Sequence, residues 1–307
     1  MSKFNGTRGR VWFKALTGRD KPMPGDPPSV LVADAPVGMS SCSSEVRSTS
    51  ASRVPYESAT TDERELNPTD IGDETARFLC VVPDHDSRFP CASHGEVGLE
   101  QAYTLSTRIR EIIAADRDGT KRPIIAIVDV KSQAYGRREE IGGIHLAAAA
   151  AADAYAAARF AGHPVITLIV GHAISGGFLT HGYQANRLLA FDDNEVLIHA
   201  MHKEPAARIT RRTVAQLEEL AKTVTPLSYN VRDYAKLGLL WKLLHISNPE
   251  APSADEISMV RSELCAAIAD ARKGPTDLRN RFESEAARTA RKASRLIRAR
   301  LEEQWNQ

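Results

Sequence analysis

Pro123-Ile124-Ile125-Ala126-Ile127-Val128-Asp129-Val130 is apolar at nearly every position and rich in β-branched side chains. A half-exposed strand would alternate apolar and polar residues, so this run reads as a strand buried on both faces, as in a parallel sheet. Upstream, Arg77-Phe78-Leu79-Cys80-Val81-Val82 is a short apolar strand closed by Pro83. Between the two, from Glu96 to Ala115, the residues Leu99, Tyr103, Leu105, Ile109, Ile112 and Ile113 recur mostly at three- and four-residue intervals, which predicts a helix with one packed face. Downstream, an alanine-rich helix from Ile141 to Phe160 and a Gly162-His163-Pro164 break lead into the strand Val165-Ile166-Thr167-Leu168-Ile169-Val170. Strand, helix and strand in alternation mean parallel strands joined by crossover helices. A third helix over Ser175–Gln184 is expected, then short strands at Arg187-Leu188-Leu189-Ala190 and Glu195-Val196-Leu197-Ile198-His199-Ala200.

The flanks are less regular. Residues 1–37 read as an N-terminal segment of the core, and 38–70, rich in Ser, Thr and charge, as a disordered insertion that cannot bury enough surface to order itself. The α/β core is expected over 71–208 and a helical C-terminal region over 209–307, packing on the core or on a partner. Its helices fall at Thr213–Leu220, Asn230–Leu239, Ala254–Ala271 and Ala286–Gln304. The last carries Arg288, Arg291, Lys292, Arg295, Arg298 and Arg300 beside Leu296, Ile297 and Leu301. Glu302 and Glu303 interrupt the basic face, so docking of its apolar stripe on its own subunit or a partner is the preferred reading over RNA or membrane binding.

The chain has 307 residues, 42% of them hydrophobic, enough for one large domain or two small ones. Its 40 Lys and Arg against 39 Asp and Glu leave a net charge of +1, which gives no footprint for nucleic acid or an anionic membrane. No apolar run reaches the roughly 18 residues that span a bilayer, and Met1-Ser2-Lys3-Phe4-Asn5 lacks the apolar core of a signal peptide, so a cytoplasmic protein is expected. Cys42, Cys80, Cys91 and Cys265 are scattered, which indicates neither a disulfide framework nor a metal site.

Chemistry concentrates where the two long strands end, the usual ligand crevice of an open α/β arrangement. The first end reads Asp129-Val130-Lys131-Ser132-Gln133-Ala134-Tyr135-Gly136-Arg137-Arg138-Glu139-Glu140, the second Val170-Gly171-His172-Ala173-Ile174-Ser175-Gly176-Gly177-Phe178. Helix starts leave unpaired N–H groups, and glycine lets a substrate approach them, so both turns suit a negatively charged oxygen. One such donor aimed at developing charge is worth about 3 kcal/mol. Tight strand-to-helix packing would equally call for these glycines. Gly136, Arg137, Gly176 and Gly177 are the backbone candidates. Tyr135, Arg137 and His172 are the side-chain candidates, although Arg137 could instead pair with Glu140 and Tyr135 simply pack. Ala173-Ile174-Ser175-Gly176-Gly177 also fits a variant nucleophile elbow, with Asp192 or Asp193 and then His199 or His245 following in esterase order, so a serine hydrolase using Ser175 is a rival reading. Against it, Gly171-His172-Ala173-Ile174 separate the serine from the expected strand end.

At these same residues the sequence resembles the gamma subunits of biotin-independent malonate decarboxylases, relatives of the carboxyltransferase subunits of biotin-dependent carboxylases. The matching stretches include Arg88-Phe89-Pro90, His94-Gly95-Glu96-Val97-Gly98-Leu99, Ser132 to Glu140, Gly162-His163-Pro164-Val165, His181 to Arg187, His199-Ala200-Met201 and Leu237-Gly238-Leu239-Leu240-Trp241, with Arg10-Val11-Trp12-Phe13 near the start. The Gly38–Asp70 stretch and Met201-His202-Lys203-Glu204-Pro205 depart from the family pattern. The resemblance implies a crotonase-like (ClpP/crotonase) α/β superhelix of repeated β-β-α units. It also implies decarboxylation of a malonyl thioester on an acyl carrier protein to the acetyl thioester, with a beta subunit required. The chain itself would bind no cofactor; the thioester-bearing prosthetic group would sit on the acyl carrier protein subunit, and an acyl-carrier-protein transferase (alpha) subunit would complete the complex. By the same analogy the beta subunit would hold the thioester oxygen, and this chain would hold the carboxylate or position the proton donor. A scaffold subunit without catalytic residues is the remaining alternative.

Overall fold

The structure, a computed structural model, describes residues 6–38 and 74–306; the expected insertion, apart from Gly38, lies outside the described residues. In chain order the core begins with α1 (Arg8–Thr17), β1 (Val30–Pro36), β2 (Thr75–Val81), α2 (Leu99–Ala115), β3 (Ile124–Val130), α3 (Arg137–Ile141), α4 (Ile144–Phe160), β4 (Val165–Ile174) and α5 (Ser175–Thr180). It continues with β5 (Arg187–Phe191), β6 (Ile198–His199), α6 (Lys203–Ile209), α7 (Val214–Ala221), α8 (Val231–Lys236), β7 (Lys242–Leu244) and α9 (Ala254–Lys273), and ends in α10 (Asn280–Glu283), α11 (Glu285–Ala290) and α12 (Lys292–Trp305).

The strands form one sheet in the order β1-β2-β3-β4-β5-β7, with β6 pairing the far end of β4. β1 and β2 are antiparallel; all the other pairs are parallel. Every residue of β3 and β4 is buried, as continuous apolar runs covered on both faces require. α2 and α4 pack against each other, and α1 and α9 lie against the strands. Trp12 and Phe191, both buried, meet edge-to-face at 4.7 Å and fasten α1 to β5.

Several helices differ from the sequence reading. The helix expected over Ile141–Phe160 is α4, which begins at Ile144 because α3 ends at Ile141 and Gly143, left-handed at φ 81°, caps the new helix. The helix expected over Ser175–Gln184 stops at Thr180, because His181 turns extended and buries its ring. The terminal helix breaks at Arg291, and α12 buries none of its residues: Leu296, Ile297, Leu301 and Trp305 are all exposed, so its apolar stripe does not dock on its own subunit.

His181 is a structural histidine. Its Nε2 lies 3.0 Å from Ile127 O and its Nδ1 2.9 Å from Tyr155 Oη, so Nε2–H donates to the carbonyl and Nδ1 accepts the phenol proton in the neutral ring. Burial pushes its pKa down to about 4. The unfolded chain therefore takes up a proton that the fold refuses, and the stability contribution is lost as pH falls from about 6.5 toward 4, at up to about 1.4 kcal/mol per pH unit. Urea unfolding across that window should show stability falling with pH, and His181→Gln should flatten the slope. An unchanged slope would rule out His181 as a source.

Candidate active site

β3 and β4 run in register from Ile124↔Val165 to Val128↔Ile169, but the next pair is Val130↔Ala173, so β4 carries extra residues there and bulges. Asp129 fills the bulge. It is 3% exposed, and its carboxylate accepts the backbone N–H of His172 at 3.0 Å through Oδ1 and that of Gly9 at 3.3 Å through Oδ2. Burial raises its pKa, and the two N–H donors oppose the rise. A side chain at Gly171 would overlap Asp129 Oδ1, which is why a residue without Cβ stands there.

Past the bulge, β4 runs through Ile174 directly into α5. The change of direction falls on Ser175, which is left-handed at φ 60°. Two contacts from the first turn hold this second one. Gln133 Oε1 accepts the N–H of Gly176 at 2.8 Å, and Tyr135 Oη lies 3.0 Å from Ser175 Oγ. Gly177 packs so closely that a Cβ would overlap the carbonyl oxygen of Ser132, whereas a Cβ on Gly176 would meet only the side chain of Gln133.

The turns chosen from the sequence are thus joined, but their N–H groups differ in state. That of Gly176 is occupied by Gln133, and Gly177 serves close packing. Gly136 starts α3, with Cys91 and the carboxylate of Glu139 crowding it. Tyr135 is 56% exposed although it bonds to buried Ser175. Arg137 is also exposed, and no ion pair joins it to Glu140 among the described residues. His172 is buried, and burial first, then the charges of His202, Arg8 and Lys131, push its ring down to about 4. Sequence reasoning missed Gln133, Asp129 and Glu139. Glu139 is 1% exposed, and its carboxylate lies against the thiol of Cys91, whose pKa burial and then this carboxylate push up. Its burial among charged neighbours carries no periodic signal.

The backbone of a nucleophile elbow is present, since β4 reaches Ile174. Its partners are engaged elsewhere. Ser175 Oγ meets a phenol, Asp192 pairs with Arg232, Asp193 with Arg8, His199 Nδ1 bonds to Met201, and His245 is exposed. Among the described residues no group of three or more His, Cys, Asp or Glu could hold a metal ion, and no helix is long and apolar enough to cross a membrane.

The mixed α/β sheet, with two adjoining helix-starting turns at its strand ends, is similar to the fold of carboxyltransferase-like structures. Transcarboxylase 12S, solved with methylmalonyl-coenzyme A, shares this fold at a TM-score of 0.50 and 18% identity, over 66% of this chain and 35% of that one. Within the class, the chain belongs to the malonate decarboxylase gamma subunit family, whose model matches residues 92–305. It is 44% identical to a chain of the Pseudomonas malonate decarboxylase MdcD-MdcE hetero-dimer, with a TM-score of 0.79 over 98% of this chain and 100% of that one. It is also 35% identical, over 67% of its length and 72% of the relative's, to the malonyl-S-ACP:biotin-protein carboxyltransferase MADD of Malonomonas rubra.

The two glycines should respond differently to the same substitution. Gly177→Ala sets a methyl against main chain and should destabilise by about 1–3 kcal/mol, the range for overpacking. Gly176→Ala should destabilise by only about 1 kcal/mol, the worth of the Gln133 hydrogen bond given up when that flexible side chain moves aside. Denaturant unfolding of the two variants measures the contrast.

Proposed function

We propose that this chain supplies one half of a malonyl-thioester decarboxylase site, completed by a beta-type subunit. The observation that carries the reading is the cross-linked pair of turns at the ends of β3 and β4, held by Gln133 on Gly176 and Tyr135 on Ser175. The substrate would be malonyl carried as a thioester on the prosthetic group of an acyl carrier protein, itself loaded by an acyl-carrier-protein transferase. The products would be the acetyl thioester and CO₂. The solved relative named as an MdcD-MdcE hetero-dimer supports a two-subunit assembly. So do Tyr135, Ile141, Leu146 and Leu179, large apolar side chains exposed on or just after the two turns, where a second chain would cover them.

Breaking the C–C bond drives an electron pair onto the thioester oxygen, and fixed N–H donors stabilise that charge. In this half, the Gly176 N–H becomes available when Gln133 rotates away and a substrate oxygen takes the place of its Oε1. The negative charge leaves the carboxylate as CO₂ forms, so a donor there favours the ground state and lowers KM without raising kcat, whereas a donor on the thioester oxygen meets the developing charge and raises kcat. Tyr135, with Ser175 behind it, and His172 stand as the groups that position or deliver the proton that replaces CO₂.

The test is CO₂ release from malonyl-S-acyl-carrier protein by the complex with its beta-type partner. Gly176→Pro removes the donor and should lower kcat/KM by about 100-fold or more while the complex still assembles. If the loss lies in KM, this half holds the carboxylate; if in kcat, it holds the thioester oxygen. An unchanged rate in an intact complex would reduce the turn to packing. Tyr135→Phe, Arg137→Leu and His172→Gln that each stay within about threefold of wild type, equal to roughly 0.65 kcal/mol, would remove those side chains from the chemistry.

A further inference from the structure

A donor that holds the malonyl carboxylate works against the reaction. The carboxylate is fully charged while malonyl is bound and uncharged once CO₂ has formed, so an N–H fixed on it favours the bound state over the transition state. The Gly176 N–H differs from a fixed donor because it already has a partner of its own, Gln133 Oε1, which accepts it at 2.8 Å. Gly176 and Gln133 are both half-buried, so this bond stands at the margin of the protein and not in its core.

The main chain around Gln133 is held on both sides. Val97 N–H donates to Ser132 O at 2.9 Å, and Ala134 N–H donates to Val97 O at 2.9 Å. The side chain of Gln133 makes one hydrogen bond among the described residues, the one to Gly176, so its amide can leave and return by rotation about side-chain bonds while the turn stays in place. The three nearest atoms that a Cβ at Gly176 would meet, Oε1, Cδ and Cγ, all belong to Gln133, so the same rotation clears the space beside the elbow. An amide oxygen is a neutral acceptor, and a hydrogen bond to a carboxylate is roughly twice as strong. The malonyl carboxylate therefore displaces Gln133, whereas the uncharged oxygen of CO₂ yields the N–H back to it.

We infer that Gln133 is a positioning residue that acts through the Gly176 N–H, giving the donor up to the malonyl carboxylate and retaking it as CO₂ leaves. The inference rests on the decarboxylase reading and commits this half of the site to the carboxylate. In the step itself the electron pair of the C–C bond moves onto the thioester oxygen, the carboxylate carbon departs as CO₂, and a proton then adds to the α-carbon to give the acetyl thioester. The negative charge passes away from Gly176 to the thioester oxygen, and Gln133 Oε1 returns to the donor that it left. Malonyl binds more weakly for having to displace an acceptor, and cleavage is easier because the displaced bond is regained.

Steady-state kinetics of CO₂ release from malonyl-S-acyl-carrier protein, by the complex with its beta-type partner, read this directly. Gln133→Ala removes the competitor and should lower kcat and KM together, each by about three- to tenfold, the worth of one neutral hydrogen bond, with kcat/KM within about twofold of wild type. Gln133→Met, of matching length and without the acceptor, takes its place should alanine unsettle the turn. Gln133→Glu keeps the bond to Gly176 but sets a charged acceptor against a charged substrate, and should raise KM at least about tenfold. A residue that merely supports the turn would give another pattern, with kcat/KM lost in Gln133→Ala and KM not lowered, and that result overturns the inference. So does a KM that neither variant moves, even though CO₂ release by the wild-type complex would leave the decarboxylase reading standing. A wild-type complex that releases no CO₂ removes that reading and the inference with it.

Discussion

The carboxylate of Asp129 is the contact on which the site depends. A parallel pair of strands keeps even register unless something occupies the space that a bulge opens, and here Asp129 occupies it while binding the N–H of His172 on the bulged strand. Its other oxygen binds Gly9 at the start of α1, so one buried side chain ties together β3, β4 and the first helix. A buried carboxylate is unfavourable by itself, and the two N–H donors offset that penalty in the folded state. Loss of this side chain would leave two buried N–H groups unpaired and remove the reason for β4 to bulge. The shift in register is what carries Ile174 and Ser175 to the place where Gln133 and Tyr135 can reach them.

The sheet's centre was legible because burial on both faces writes itself as unbroken apolar runs, which is how β2, β3 and β4 declare themselves. β1 was not read as a strand, although Val30-Leu31-Val32-Ala33 is apolar, because its partner β2 lies beyond a long intervening segment and antiparallel pairing leaves no local mark at that distance. β7, three residues long, is below the length at which periodicity means anything. Helix ends were overextended wherever a tertiary contact stops the helix, as at His181, whose ring leaves the helical path to reach Ile127 O.

The positions of both turns could be read from glycine and strand endings, but not the relation between them. Gln133 had no distinguishing spacing, and its bond to Gly176 spans 43 residues and exists only after the bulge sets the register. The same holds for Tyr135 and Ser175, which the sequence assigned to competing mechanisms and the fold places in one hydrogen-bonded pair.

That pair bears on why a serine stands at the elbow. A strand that becomes a helix within one residue needs a left-handed backbone, and at Ser175, which carries a Cβ, this costs about 1–3 kcal/mol. Glycine would relieve the strain, and the next two residues are glycines, so the chain holds a side chain where the backbone least favours one. The hydroxyl is the polar part of that side chain, and it is bonded to Tyr135. The same turn also presents the Gly176 N–H, which in the free chain would be an unpaired donor if Gln133 Oε1 did not accept it. Both polar groups of the elbow are therefore held by side chains of the first turn, one by an exposed tyrosine and one by a flexible amide. Such partners can swing away without unfolding either strand, whereas Asp129 and Gly177, fixed against main chain, cannot move.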